Sequence, residues 1–369
     1  MEKTNILIIA PGLNIGGLEM VIAHLCRNID KEKFNISVCC LKQIGSIGNE
    51  LIKEGYSVTA LKKPRYLKNN YISWLQLIAL IKNNNIHVLH SHTLDSLLDA
   101  SLCKLFLRKI RVIHTFHFGN YPHLPQKYLL IEKLFWRFAD QLVAVGDEQK
   151  EKIIKTLKIN SHSIVTVWNG VPKFQDIHAL SSIVEKYRYS GRIIIGTVCT
   201  LIEQKGLTDL LDVAHLLKRQ GRKAIFLIAG EGDLRQDLEE KISRLGLDTD
   251  VILLGWVDSA ATTFIPYIDI FFLPSLWEAM SVVVLEAMEA GKPVVVTNVG
   301  ENRRVITDGV DGFVVEPRDT QGMLKILDRL VVDIQLRKQV GAKAQVKVRT
   351  YFSVEKMVSE YQNLYIKWA

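Results

Sequence analysis

The chain has 369 residues, 48% of them hydrophobic and 23% charged, with 23 glycines and 9 prolines. That apolar content excludes a disordered, collagenous or fibrous chain, and the length suits two domains at about 150 residues each. Lys and Arg number 47 against 39 Asp and Glu, a net +8. Residues 1–175 hold 23 basic and 13 acidic side chains, so all of the excess positive charge lies in the first half. Such asymmetry points to a basic face for nucleic acid, anionic lipid or a phosphorylated ligand.

Strand-like apolar runs alternate with helix-period segments along most of the chain. In the first half the strands read 5–10, 34–40, 58–61, 88–90, 111–115, 141–145 and 164–167, with helices at 17–28, 72–83, 94–107, 124–139 and 148–157. A polar stretch, 171–192, interrupts the pattern. Strands then resume at 193–197, 224–229, 251–254, 270–274, 293–297 and 312–315, with helices at 207–220, 234–245, 281–290 and 321–332. Continuous Val/Ile runs predict parallel sheets covered on both faces, and repeated strand–helix units predict an α/β chain of two doubly wound, Rossmann-like domains. The boundaries read as 1–172, a linker at 173–191, 192–350, and a final helix at 351–369. Phe352, Met357, Tyr361, Leu364, Tyr365 and Trp368 recur in that helix at spacings of three to five, so its apolar face must pack on something.

Run 5–10 reads as a first strand rather than a secretory signal, and no stretch approaches the ~18 apolar residues of a membrane span. Cys26, Cys39, Cys40, Cys103 and Cys199 show neither metal-ligand nor CxxC spacing and are expected to be reduced. A cytoplasmic protein is expected.

Ligands of open α/β sheets bind at the carboxyl ends of strands, so the loops there hold the candidate chemistry. Gly16 and Gly17 follow the first strand and open a helix, where free backbone N–H groups can face an anion. His117 follows the strand at 111–115, next to Gly119. His90 and His92 form a close pair without acidic or Cys partners at metal-binding spacing. Asn169-Gly170 suits a turn requiring positive φ. In the second half Lys205 stands just before a helix N-terminus, where a cation opposes the helix dipole unless a phosphate lies between them. Gly230 and Gly232 repeat the strand–glycine–helix design.

The most informative segment runs from Phe271 to Gly291. Glu278 lies in a strand–helix loop and Glu286 eight residues on. That spacing advances about 80° beyond two turns and about 12 Å along a helix, which suits two hydrogen-bonding tasks on one extended ligand rather than a shared proton. Neither half carries GxGxxG after its first strand, which argues against a nicotinamide dehydrogenase. Nucleic-acid binding has only net charge behind it.

In this order, Gly16-Gly17-x-Glu19, Asn169-Gly170-Val171, Gly196…Lys205-Gly206, Gly230-x-Gly232, Glu278-x7-Glu286 with its Glu-Ala-Gly-Lys-Pro tail, and Asp308-Gly-Val-Asp-Gly312 resemble the retaining, nucleotide-sugar-dependent glycosyltransferases of GT-B architecture, family 4-like, group 1. The resemblance covers nearly the whole chain. It implies two Rossmann-like domains facing a cleft, with the acceptor on the first and the nucleotide-sugar on the second. By position it implies that Lys205 binds the diphosphate, Glu286 the ribose hydroxyls and Glu278 the transferred sugar. His117 would contact the donor sugar near the reacting carbon, and Gly17 and Gly230 would let backbone approach the donor. Ala279, Met280, Ser281 and Val282 would line the donor site beside Glu278. It further implies that the final helix crosses back to the first domain.

Two departures stand out. Thr200 occupies the position of the usual diphosphate-binding Arg. The usual Gly-Gly-x-x-Glu reads Gly300-Glu301-Asn302-Arg303-Arg304, so Arg303 or Arg304 is expected to supply the missing charge. No acidic metal-binding triplet appears, so no metal or other cofactor is expected and the donor is an NDP-sugar. The expected activity is transfer of a hexose or N-acetylhexosamine, with retention, to a glycan or lipid-linked acceptor in cell-surface polysaccharide or lipopolysaccharide synthesis. The alternatives are a GT-B-fold sugar-nucleotide epimerase and an inactive sugar-nucleotide-binding protein. Residues 58–137 hold 12 basic residues against Asp95, Asp99 and Glu132. That window predicts a peripheral contact with the anionic cytoplasmic face of a membrane.

Overall fold

The computed structural model describes residues 3–14, 16–62, 73–119, 121, 125–174, 182–188 and 190–368. They form two compact units, Met1–Gly170 with Val354–Ala369, and Val171–Ser353. Unit 1 contains β1 (Thr4–Gly12), β2 (Phe34–Gln43), β3 (Ser57–Ala60), β4 (Val88–Ser91), β5 (Arg111–Phe116), β6 (Gln141–Ala144) and β7 (Ile164–Thr166), in the sheet order β3-β2-β1-β4-β5-β6-β7. Unit 2 contains β8 (Ile193–Val198), β9 (Ala224–Ala229), β10 (Val251–Gly255), β11 (Ile270–Leu273), β12 (Val294–Thr297) and β13 (Phe313–Val315), in the order β10-β9-β8-β11-β12-β13. Every pairing within both sheets is parallel. These are two Rossmann-like domains, each with helices between its strands.

The central strands are apolar on both sides because helices cover both faces. Ile6, Ile8, Ile9 and Ala10 in β1 and Phe271, Phe272 and Leu273 in β11 have no exposed surface. Strand order reverses once in each sheet, between β1 and β4 and between β8 and β11. At such a reversal successive crossovers leave in opposite directions and open a crevice at the carboxyl ends.

Three sequence expectations change. Helices at Gly45–Lys53 and Ile334–Tyr351 are additions. The second is long but buries only Arg337, Val340, Gly341, Ala344 and Val348, too thin a stripe for strong apolar periodicity. The segment read as a linker contains the helix Ser182–Arg188, seated by buried Val184, and groups with unit 2. Neither Asn169 nor Gly170 adopts positive φ. The Gly170 N–H instead donates to Met357 Sδ at 3.2 Å, which ties this point to the last helix.

That last helix, Val354–Trp368, belongs to unit 1. Tyr361 and Tyr365 are wholly buried there. The Tyr365 hydroxyl lies 2.8 Å from His90 Nδ1, His90 Nε2 lies 2.8 Å from Thr115 Oγ1, and Thr115 Oγ1 lies 3.2 Å from the Tyr361 hydroxyl. The rings supply apolar area while the hydroxyls complete a polar chain at the ends of β4 and β5. Gln362 adds an acceptor for the Asp30 N–H at 2.7 Å. Tyr365→Phe should leave one nitrogen of buried His90 unpaired and cost about 1–3 kcal/mol. Urea unfolding monitored in unit 1 checks this, and an unchanged midpoint would contradict the assigned role of the hydroxyl.

Candidate active site

In unit 2 the loops after β8 and β11, on either side of the strand-order reversal, meet directly. The loop after β8 closes as a short 3-10 turn, Glu203–Lys205, capped by Gly206. Gly206 has φ +62, and a Cβ there would sit 1.9 Å from the Pro274 carbonyl oxygen, so this close approach of the two loops requires glycine. The approach lets Lys205 Nζ reach Glu278 Oε1 at 2.6 Å. Ser275 Oγ donates to the same oxygen at 2.8 Å, and Gln204 Nε2 reaches Oε2 at 3.4 Å and the Trp277 carbonyl at 2.9 Å. Glu278 is buried, so its charge is matched by three converging donors rather than by water. The pairing also answers why a cation precedes the helix Leu207–Arg219: its counter-charge stands across the reversal. Gln204 and Ser275 were missed by the sequence reading. Their signal is proximity alone, one residue before Lys205 and three before Glu278.

Ala279, Met280 and Ser281 continue the loop into the helix Val282–Glu289, and all four residues 279–282 are buried. The loop after β12 packs on it. Gly300 has φ +52, and its Cβ would lie 2.3 Å from the Ala279 carbonyl oxygen and 2.5 Å from that of Glu278, while the Glu301 N–H donates to Ala279 O at 3.0 Å. The short helix Asn302–Val305 that follows carries the two arginines. Arg303 Nη2 is 3.1 Å from Glu316 Oε1, and Arg304 Nε is 3.9 Å from buried Glu301 Oε2. Thr200 is exposed in the loop after β8. Gly230 follows β9, with its N–H bonded to the Gly255 carbonyl at 2.8 Å.

Glu286 is different in kind. It is buried in the helix Val282–Glu289, and among the described residues nothing hydrogen-bonds its carboxyl group. Burial alone pushes it up to about 8. A buried carboxyl without donors is suited to receive them from a ligand.

In unit 1, Gly17 opens the helix Gly17–Asn28 after β1, with Gly16 as its cap residue and no side-chain cap bond. The cap residue offers no side chain here, at the β1/β4 reversal, and within the first turn the Glu19 carboxylate accepts from its own backbone N–H. His92 follows β4 and His117 follows β5, with His92 Nδ1 and His117 Nε2 2.9 Å apart. Burial pushes His117 down to about 4 and His92 well below the usual histidine range, which keeps both rings neutral at pH 7. The sequence offers no metal-binding partners to His90 and His92. The structure joins His90 to the last helix and His92 to His117. Among the described residues no group of three His, Cys, Asp or Glu side chains is placed to hold a metal. All five cysteines are free.

Two Rossmann-like domains built on parallel sheets fit the GT-B type of fold, and the comparisons show the family. Residues 181–347 match the family model for glycosyl transferases group 1, and residues 15–173 match that for glycosyltransferase family 4. The chain is 25% identical over 369 residues to an Escherichia coli UDP-Gal:alpha-D-GlcNAc-diphosphoundecaprenol alpha-1,3-galactosyltransferase, covering 95% of this chain and 94% of that one. It is 24% identical to the Staphylococcus aureus capsular polysaccharide biosynthesis glycosyltransferase CapM, covering 90% of each. In fold it matches Anabaena Alr3699/HepE, solved in complex with UDP and glucose, at a TM-score of 0.88 and 18% identity over 99% of this chain and 100% of that one. The chain belongs to the group 1, family 4-like glycosyltransferases of the GT-B fold.

The state of Glu286 has a measurable consequence. Its carboxyl titrates higher in the folded chain than its ordinary value of 4.5, so its contribution to stability is intact below about pH 4.5 and is lost as pH rises through about 8. Glu286→Gln, which cannot ionise, should melt higher than the unsubstituted protein, with a gap that widens from pH 5 to pH 8.5. A gap that is constant across this range would show that the carboxyl is not strained by burial.

Proposed function

We propose that the protein transfers a hexose or N-acetylhexosamine from an NDP-sugar, with retention, to a glycan or lipid-linked acceptor in cell-surface polysaccharide or lipopolysaccharide synthesis. The observation that carries this is the Lys205–Glu278 pair at the β8/β11 reversal, with the donor-free Glu286 carboxyl eight residues on. The relatives named above act on a diphosphoundecaprenol-linked sugar and in capsular polysaccharide synthesis, which supports an acceptor of this class.

The roles follow from charge. Departure of the nucleotide builds negative charge on its diphosphate and leaves an oxocarbenium-like sugar. Lys205 has two further N–H donors beyond the one facing Glu278, and these serve the phosphates. Glu278, paired with Lys205 and bonded by Ser275 and Gln204, faces the sugar hydroxyls and the positive charge. Glu286 accepts from the ribose hydroxyls. Backbone donors of 279–282 add preorganised dipoles, each worth about 3–4 kcal/mol when aimed at developing charge. Arg303 and Arg304 follow the loop that packs on Glu278 and Ala279, and they supply the charge that Thr200 does not. Cationic side chains and helix ends thus stand in for a metal. His117, in unit 1, is proposed to take part in the reaction.

A panel of NDP-sugars, UDP-sugars first, should reveal one donor that raises the melting temperature, as ligands of the native state do. With that donor, turnover should require an acceptor, persist in a chelator and vanish in Glu278→Ala. Arg303→Ala or Arg304→Ala should weaken donor binding about tenfold, the loss of a charged hydrogen bond. Conversion of the donor sugar without any acceptor would indicate an epimerase instead. Binding without turnover would indicate an inactive binding protein.

We further propose that unit 1 rests on the anionic cytoplasmic face of a membrane. Among the described residues no helix is long and apolar enough to cross one. Two of the three acids in the basic window are withdrawn from its surface. Asp99 is buried and accepts from Ser73 Oγ at 2.8 Å, and Glu132 is buried and accepts from the Tyr121 hydroxyl at 2.7 and 2.8 Å. Beside Lys127, Lys133 and Arg137, Leu130 and Leu134 stand 59% and 54% exposed one helical turn apart. Lys63, Arg65 and Lys68 lie outside the described residues. Sedimentation with vesicles at low salt should show binding to anionic but not neutral lipid, reduced about tenfold or more in Leu130→Ser/Leu134→Ser. Equal binding to both vesicles would refute the membrane contact.

A further inference from the structure

We infer that His92 is a positioning residue that fixes the tautomer of His117, so that His117 offers its Nδ1–H, and not a bare nitrogen, to whatever it contacts. The inference rests on the proposed part of His117 in the reaction, and it is built on a contact within unit 1. His92 stands immediately after β4, at the β1/β4 reversal. His117 stands after β5, the adjacent strand. The rings lie 5.2 Å apart between centroids and 24° from parallel, with Nδ1 of His92 and Nε2 of His117 at 2.9 Å.

Two neutral imidazoles can share such a bond in only two ways, because each ring carries a single proton. If His117 donates from Nε2, the His92 proton must sit on its own Nε2. That atom is buried and has no partner among the described residues. If His92 donates from Nδ1, only a bare lone pair is left in the buried position. A buried N–H without an acceptor is the rarer and costlier orphan. The second arrangement therefore holds, and it forces the His117 proton onto Nδ1. Burial supports the neutrality of both rings, with no carboxylate among the causes that shift either of them.

The surroundings keep His92 from turning away. Its ring packs on that of His90 at 4.0 Å between centroids. His90 is itself held from both sides by Tyr365 and Thr115. The His92 backbone N–H donates to Ser96 Oγ at 3.0 Å. The last helix thus reaches His117 through two intervening rings.

Nitrogen NMR of 15N-histidine-labelled protein at pH 7 reads the tautomer directly. In the unsubstituted protein the His117 resonances should report a protonated Nδ1 and a bare Nε2. His92→Phe keeps an aromatic ring but donates nothing, and should return His117 towards the Nε2–H form that neutral imidazole favours in water. His92→Asn places an amide N–H near the lost Nδ1–H and should restore the Nδ1–H form. With donor and acceptor, kcat should fall roughly tenfold or more in His92→Phe and recover in His92→Asn, the loss and return of one hydrogen-bonded contact. A purely structural role predicts the opposite order, since Phe suits the apolar surroundings better than Asn. Protonation of His117 at Nε2 in the unsubstituted protein, or an unchanged tautomer in His92→Phe, would overturn the inference. Full turnover by His117→Ala would instead remove the proposed part of His117, while the NMR result on His92 would stand or fall by itself.

Discussion

A parallel strand covered on both faces has no place for a polar side chain except at its ends, and the chemistry of this protein follows from that constraint. β11 and the stretch Ile6–Ala10 of β1 are sealed from water, so charged and titratable groups gather where strands give way to loops. The single reversal of strand order in each sheet then decides which ends matter. In unit 2 it sets Lys205 against Glu278, and in unit 1 it sets the Gly16-Gly17 helix start near the row of histidines. The two halves of the chain thus reuse one topological device for different donors and acceptors.

Burial then sets the chemical state of what has gathered there. It keeps His117 and His92 neutral, and it pushes the carboxyl of Glu286 up to about 8. Glu278 has different surroundings, because Lys205, Ser275 and Gln204 converge on its carboxylate. Two glutamates eight residues apart in one segment therefore differ in kind, one matched by a cation within the protein and the other without hydrogen-bond donors among the described residues. Away from these loops burial alters the surface as well. Glu132 withdraws to Tyr121 and Asp99 to Ser73, so the basic window is more positive at its surface than its composition states.

The last helix links fold and site. Its tyrosines put hydroxyls into the buried ends of β4 and β5, where Nδ1 of His90 would otherwise lack a partner. A polar chain in a core is stabilising only when every member is satisfied. The final turns of the polypeptide are thereby part of the first unit's architecture, although they follow the whole of the second.

The strand–helix alternation, both sheets and the Glu278-x7-Glu286 segment were legible from the sequence, because period, continuous Val/Ile runs and a specific motif are local properties. The helix Ile334–Tyr351 was not, since its narrow buried stripe makes little periodic signal. Nor was the conformation at Asn169-Gly170, where a contact with Met357 replaces the turn that the dipeptide favours. Within the candidate loops, the sequence by itself singled out Lys205, Glu278, Glu286, His117 and the glycines as residues worth testing. Only the tertiary structure decided that Gln204 and Ser275 hold Glu278, that Glu286 is left without donors, and that His92 touches His117. Each of those facts depends on residues from separate strands meeting out of water, and neither distance nor desolvation is written in spacing along a chain.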